Sequence, residues 1–124
     1  MSLTTRTVLI VDDDPQILRL VQRILGGREV KVLAAPRPLE ALRICEGERV
    51  DLLISDMAMP EMDGNRLADK VLKLRPETSV LLISGVKDGA HTKNGRVRFL
   101  KKPFFPADLI RILGEMLPVA EKAD

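Results

Sequence analysis

The sequence predicts an α/β fold, a doubly wound parallel sheet with helices on both faces, and three observations carry that prediction. Apolar runs rich in Val, Ile and Leu recur at Val8 to Val11, Val30 to Ala34, Leu52 to Ile54, Val80 to Ile83 and Val97 to Leu100, which makes a five-stranded sheet. The runs lack polar alternates, the pattern of strands buried on both faces. Helical patterns lie between most of them, and strand alternating with helix is the arrangement that builds a parallel sheet.

Each element has its own signals. The first run ends abruptly in Asp12-Asp13-Asp14. Asp14 is a candidate N-cap, Pro15 suits the first helical position, and Ile17, Val21, Ile24 and Leu25 share one face of a helix that Gly26-Gly27 ends. Pro38 opens a second helix through Leu42 and Cys45. The run Leu52-Leu53-Ile54-Ser55 leads into Asp56, and Leu67, Val71 and Leu74 stripe a third helix that Pro76 closes. Between the fourth and fifth strands, residues 85–96 carry three glycines and no apolar stripe, which predicts a short, frayed or absent fourth helix. Leu109, Leu113 and Met116 stripe the last helix. Right-handed crossovers allow few sheets for this order of elements, and the flavodoxin-like strand order 2-1-3-4-5 is the leading one. It makes the first and third strands neighbours, so Asp12, Asp13 and Asp56 are expected to meet where strand order reverses, beyond the carboxyl ends of the strands.

Length and composition narrow the function classes. The 124 residues fit one domain, 1–124, with a structured core at about 6–118. No apolar stretch approaches the roughly 20 residues a membrane span needs, and Met1-Ser2-Leu3 lacks the regions of a signal peptide, so a cytoplasmic protein without membrane contact is expected. Twenty basic residues against 18 acidic are too balanced to argue for direct nucleic-acid binding. Lys87, Lys93, Arg96, Arg98 and Lys101 read as solvated positions rather than a phosphate-binding patch. A single cysteine, Cys45, and a single histidine, His91, exclude an internal disulfide and a zinc set. Cys45 reads as a small core residue, and Met57, Met59 and Met62 as packing around a turn.

The carboxylates point to metal chemistry. Like charges gathered at one point raise one another's pKa, and a divalent cation reverses that effect. Oxygen ligands with no His or Cys nearby suit Mg2+, for which Mn2+ can substitute. Asp13 and Asp56 are the first candidate ligands. A metal-bound site with one carboxylate free to attack can accept a phosphoryl group as an aspartyl phosphate, and Asp56 is the candidate nucleophile. Ser84 ends the fourth strand with a hydroxyl that can donate to a phosphoryl oxygen, and Lys102, after the fifth strand, supplies a positive charge.

These residues together resemble the receiver domain of bacterial two-component response regulators, the CheY-like superfamily, along nearly the whole chain. The acidic pair after the first strand matches Asp12 and Asp13. The phosphoacceptor segment D-x-x-M-P-x-M-D-G matches Asp56-Met57-Ala58-Met59-Pro60-Glu61-Met62-Asp63-Gly64. The hydroxyl position matches Ser84, and the K-P-F turn matches Lys102-Pro103-Phe104, whose Lys-Pro bond the resemblance expects to be cis. The resemblance further implies that Asp12, Asp13, Asp56 and the backbone carbonyl of Ala58 hold Mg2+, and that Ser84 and Phe99 form the switch. It implies a phosphoacceptor switch rather than an enzyme, taking its phosphoryl group from a histidine kinase or histidine phosphotransfer protein and passing the signal to an output protein or domain.

The chain also departs from the family pattern. The segment between the fourth and fifth strands is short and poor in helix formers, which puts the usual output face in doubt. Phe99 lacks a hydroxyl, so its switching must be steric. Phe105 stands where Ser or Thr commonly caps the last helix. Ala58 and Val86 cannot hold an attacking water by hydrogen bond, so slow loss of the phosphate is expected. Two rival classes are a haloacid-dehalogenase-type phosphohydrolase, for which Asp12-Asp13-Asp14 has the D-x-D spacing but lacks the residues that follow, and a pseudo-receiver that acts as a constitutive interaction module. The polar end, Ala120 to Asp124, reads equally as a terminus or a linker.

Overall fold

A computed structural model describes residues 5–85 and 96–117. The elements in chain order are β1 (Arg6–Val11), α1 (Pro15–Leu25), β2 (Val30–Ala35), α2 (Pro38–Gly47), β3 (Leu52–Asp56), α3 (Gly64–Leu74), β4 (Ser79–Ser84), β5 (Val97–Lys101) and α4 (Pro106–Met116). All strand pairs are parallel and the order is β2-β1-β3-β4-β5, as the sequence predicts. The expectations for Val86, Lys87, His91, Lys93 and a fourth helix between β4 and β5, and for the polar end, lie outside the described residues.

Local chemistry fixes the ends of the helices. Asp14 caps α1, its Oδ1 accepting from Gln16 N–H at 2.9 Å, and Pro15 follows as the first helical residue. Asp63 caps α3 in the same way, accepting from Arg66 N–H at 2.8 Å. Phe105 has no side-chain acceptor with which to cap α4, and only the reciprocal half of a capping box forms, Asp108 Oδ2 accepting from Phe105 N–H at 2.8 Å.

The sheet separates two apolar layers. On one face Leu9, Val11, Leu53, Val80 and Leu82 pack against Ala41 and Cys45 of α2 and Leu67, Ala68 and Val71 of α3. On the other, Val8, Ile10, Leu52, Ile54, Leu81 and Ile83 meet Val21 and Leu25 of α1 and Leu109, Ile112 and Leu113 of α4. Ile10, Leu53, Ile54, Leu81 and Leu82 are at most 1% exposed. Burying one such side chain stabilises the fold by about 1.5–3 kcal/mol relative to leaving it in water. Cys45 is fully buried, and Met57, Met59 and Met62 pack in the α2/α3 layer, as read from the sequence.

Two expectations need correction. Burial on both faces holds for β1, β3 and β4, but β2 and β5 are the sheet edges and are largely half-buried. Their apolar composition cannot reveal that each lacks a neighbour on one side. Leu74 is 43% exposed and does not continue the α3 stripe, because the chain leaves the helix there at Arg75. No helix among the described residues is long and apolar enough to cross a membrane.

Candidate functional site

The pairing of β1 with β3, Val11 opposite Ser55, brings the carboxyl ends of both strands side by side. Asp12 follows β1 and Asp56 ends β3, so the switch in strand order places the acidic residues together. One carboxylate oxygen from each of Asp12, Asp13 and Asp56 lies within 4.8 Å of the others. Asp12 is 1% exposed and Asp56 8%, whereas Asp13 is open to solvent.

Each carboxylate is held differently. Asp12 Oδ1 accepts from Asp14 N–H at 2.8 Å. Asp12 Oδ2 is the one fully buried side-chain oxygen without a hydrogen-bond partner among the described residues. Burial pushes the Asp12 carboxyl up from 3.8 to about 6; the neighbouring charges of Asp56 and Asp13 add to the rise, and the Asp14 hydrogen bond and Lys102 oppose it. Asp56 Oδ1 faces two donors, Ala58 N–H and Lys102 Nζ, each at 3.4 Å.

Backbone bonds hold the surroundings of Asp56 in place. Met57 N–H donates to Ile83 O at 2.9 Å, and Lys102 N–H donates to Ser84 O at 2.8 Å, so the lysine is tied to the end of β4. Ser84 is 5% exposed, at the rim of the same end of the sheet. The Lys102-Pro103 peptide is cis, as the resemblance implies. Phe99 lies opposite Leu82 in β4 and packs, partly buried, against the α2/α3 layer. Ala58 is exposed beside the acidic cluster.

One positioning residue escaped the sequence reading. Gly64 N–H donates to Met57 O at 2.8 Å, and a Cβ at Gly64 would sit 2.7 Å from Asp56 O and 3.0 Å from Met57 Cα. The start of α3 therefore rests directly on the backbone of Asp56, and only glycine permits that approach. The motif contained this residue, but nothing in its spacing showed what its Cβ would strike.

The donor set fits a hard divalent cation. A buried carboxylate oxygen with no hydrogen donor, beside two more carboxylates, has oxygen ligands of the kind Mg2+ or Mn2+ takes, and among the described residues no His or Cys joins them.

Known proteins share this fold. Residues 8–114 match the family model of the response regulator receiver domain. The chain is 38% identical over 100 residues to the transcriptional regulatory protein GlrR of Escherichia coli, a match covering 77% of this chain and 22% of that protein. It is 36% identical over 124 residues to the sensor kinase CckA of Brucella abortus, covering 95% of this chain and 13% of the kinase. The chain thus spans less than a quarter of the length of either relative. Among solved structures, the signal receiver domain of an HD domain-containing protein from Pseudomonas fluorescens superposes with a TM-score of 0.84 at 28% identity, covering 92% of this chain and 95% of that one.

Proposed function

The chain belongs to the response regulator receiver domain family of two-component systems, and from that membership we propose that Asp56 accepts a phosphoryl group from the phosphohistidine of a histidine kinase or histidine phosphotransfer protein. The observation that carries the reading is the surroundings of Asp56: a buried carboxylate at the end of β3, with Lys102 Nζ at 3.4 Å and the Asp12/Asp13 oxygens within 4.8 Å. An Asp56 oxygen attacks phosphorus, the bond from phosphorus to the imidazole nitrogen breaks, and the electron pair returns to that nitrogen.

Asp12, Asp13, Asp56 and the carbonyl of Ala58 would hold the divalent cation, which supplies charge neutralisation as the phosphoryl group arrives. Lys102 pairs with the Asp56 carboxylate beforehand and with a phosphoryl oxygen afterwards. The Ser84 hydroxyl is drawn toward the phosphoryl group, and Phe99 turns inward into the space this leaves. Without a hydroxyl Phe99 acts by shape alone.

The phosphodonor must reach Lys102. A mainly apolar cleft of about 510 Å³, lined by Ile17, Leu20, Pro103 and Phe104 and bounded by Asp14 and Lys102, adjoins the site and suits a partner protein that delivers phosphohistidine. The reading includes an output protein or domain, a cytoplasmic location and no direct contact with nucleic acid. Two of the basic positions are already engaged, Arg98 with Glu115 at 2.8 Å and Arg96 with the Glu77 carbonyl at 2.8 Å. Neither the phosphohydrolase nor the constitutive module is favoured.

The test is intact-mass spectrometry after incubation with acetyl phosphate and Mg2+. A single phosphate adduct is expected, lost in Asp56→Asn and in the metal-free control. A folded chain that takes no phosphate under any condition would leave the constitutive interaction module as the better reading.

A further inference from the structure

We propose that Arg37 selects among small-molecule phosphodonors, holding the anionic leaving group of an acyl phosphate as it departs; this rests on the phosphoacceptor reading of Asp56. Arg37 occupies the N-cap of α2 in an extended conformation (φ −139°, ψ 150°) and makes no side-chain cap. A guanidinium has donors and no acceptor, so it cannot do there what Ser, Thr, Asp or Asn would do. Pro36 and Pro38 flank it and restrict the turn, so a fixed backbone presents an exposed cation. Its side chain enters no hydrogen bond or ion pair among the described residues.

The position adjoins the acidic cluster. Arg37 lines a cleft of about 470 Å³ with Asp13, Met59 and Glu61, and Asp13 belongs to the same acidic cluster as Asp56. Lys102 reaches Asp56 from the β5 side, whereas Arg37 stands after β2, at the other edge of the sheet. Glu61 forms no ion pair with Arg37, which leaves the guanidinium available to an incoming anion.

The chemistry distinguishes donors. Asp56 attacks phosphorus, and in-line displacement sends the leaving atom away from Asp56, toward the mouth of the site. With acetyl phosphate the P–O bond to the acyl group breaks, its electron pair stays on oxygen, and acetate leaves with a full negative charge. With phosphoramidate, whose nitrogen is already protonated to –NH3+ at neutral pH, the P–N bond breaks, its electron pair stays on nitrogen, and neutral ammonia leaves. A cation at the mouth assists the first departure and not the second.

Initial rates of adduct formation on the full chain with Mg2+ test this. Arg37→Gln is expected to slow acetyl phosphate roughly two- to fivefold, the range for one solvent-exposed charge contact, and to leave the phosphoramidate rate nearly unchanged. Arg37→Lys, which keeps the charge, is expected to retain most of the acetyl phosphate rate. Equal slowing with both donors, no slowing with either, or a lysine variant as slow as the glutamine variant would overturn the role of Arg37. A parent chain unreactive toward both donors would overturn the phosphoacceptor reading itself.

Discussion

Replacing Asp12 by Asn should make the metal-free protein more stable at neutral pH. Asp12 is 1% exposed and its carboxyl is raised from 3.8 to about 6, chiefly by burial. Between those values the folded chain holds a proton that the unfolded chain has released. This contribution is therefore most favourable below about pH 4 and falls as pH rises toward 6. A carboxyl raised from 3.8 to about 6 corresponds to roughly 3 kcal/mol of destabilisation at pH 7.5 when no cation is bound. Asn at this position stays neutral and can keep the bond from Asp14 N–H through its own Oδ1. In EDTA at pH 7.5, Asp12→Asn is expected to gain about 1–3 kcal/mol over the parent, with the lower figure allowing for imperfect pairing of the amide. At pH 4 the gain should vanish. Mg2+ should narrow that gap, since a cation at ten times its Kd stabilises the parent by about 1.4 kcal/mol and the variant by much less. The chain has no Trp and no Tyr, so urea unfolding followed by far-UV circular dichroism is the suitable assay. The difference between parent and variant cancels carboxylates remote from the site and includes the relief of repulsion on Asp13 and Asp56, which has the same sign. A variant less stable than the parent in EDTA at pH 7.5, or a difference independent of pH, would refute burial of an unpaired Asp12 charge as the cause.

Other perturbations read separate parts of the structure. Gly64→Ala puts a Cβ 2.7 Å from Asp56 O, and is expected to cost about 1–3 kcal/mol in urea unfolding and, on the proposed role of Asp56, to slow phosphate uptake, because the Asp56 backbone must move. Unchanged stability together with an unchanged rate would show that α3 yields instead. Thr78, fully buried, donates to Val50 O at 2.6 Å, and Thr78→Val should lower stability by about 1–3 kcal/mol at any pH, leaving metal binding unaffected. Ala58 offers no side-chain hydrogen bond to an attacking water, so the phosphorylated chain should lose its phosphate slowly; loss within seconds, followed by intact mass, would contradict this.

Much of the fold was legible because its signals are local. Asp14 and Pro15 announce α1 through the cap and the fixed proline φ, and neither requires knowledge of distant residues. The apolar runs identify the strands, and the handedness of crossovers then leaves few orders to choose from. The candidate site followed from that topology, since Asp12 and Asp56 become neighbours only if the first and third strands pair. Phe105 shows the boundary of such reasoning. Its poor capping ability was evident in the sequence, whereas the bond that Phe105 N–H donates to Asp108 became visible only once the first turn of α4 had formed.

What the sequence determined by itself was the kind of each element, the end of the sheet that carries chemistry, and the residue types gathered there, because these depend on spacing and side-chain chemistry along the chain. What only the tertiary structure decided was which strands lie half-exposed at the edges, which carboxylate oxygen is buried without a donor, how closely Gly64 presses on Asp56, and that Arg37 shares a cleft with Asp13. Each of those depends on atoms from elements far apart in the chain coming within a few ångströms of one another. Packing and desolvation act at that range, and linear spacing carries no record of it.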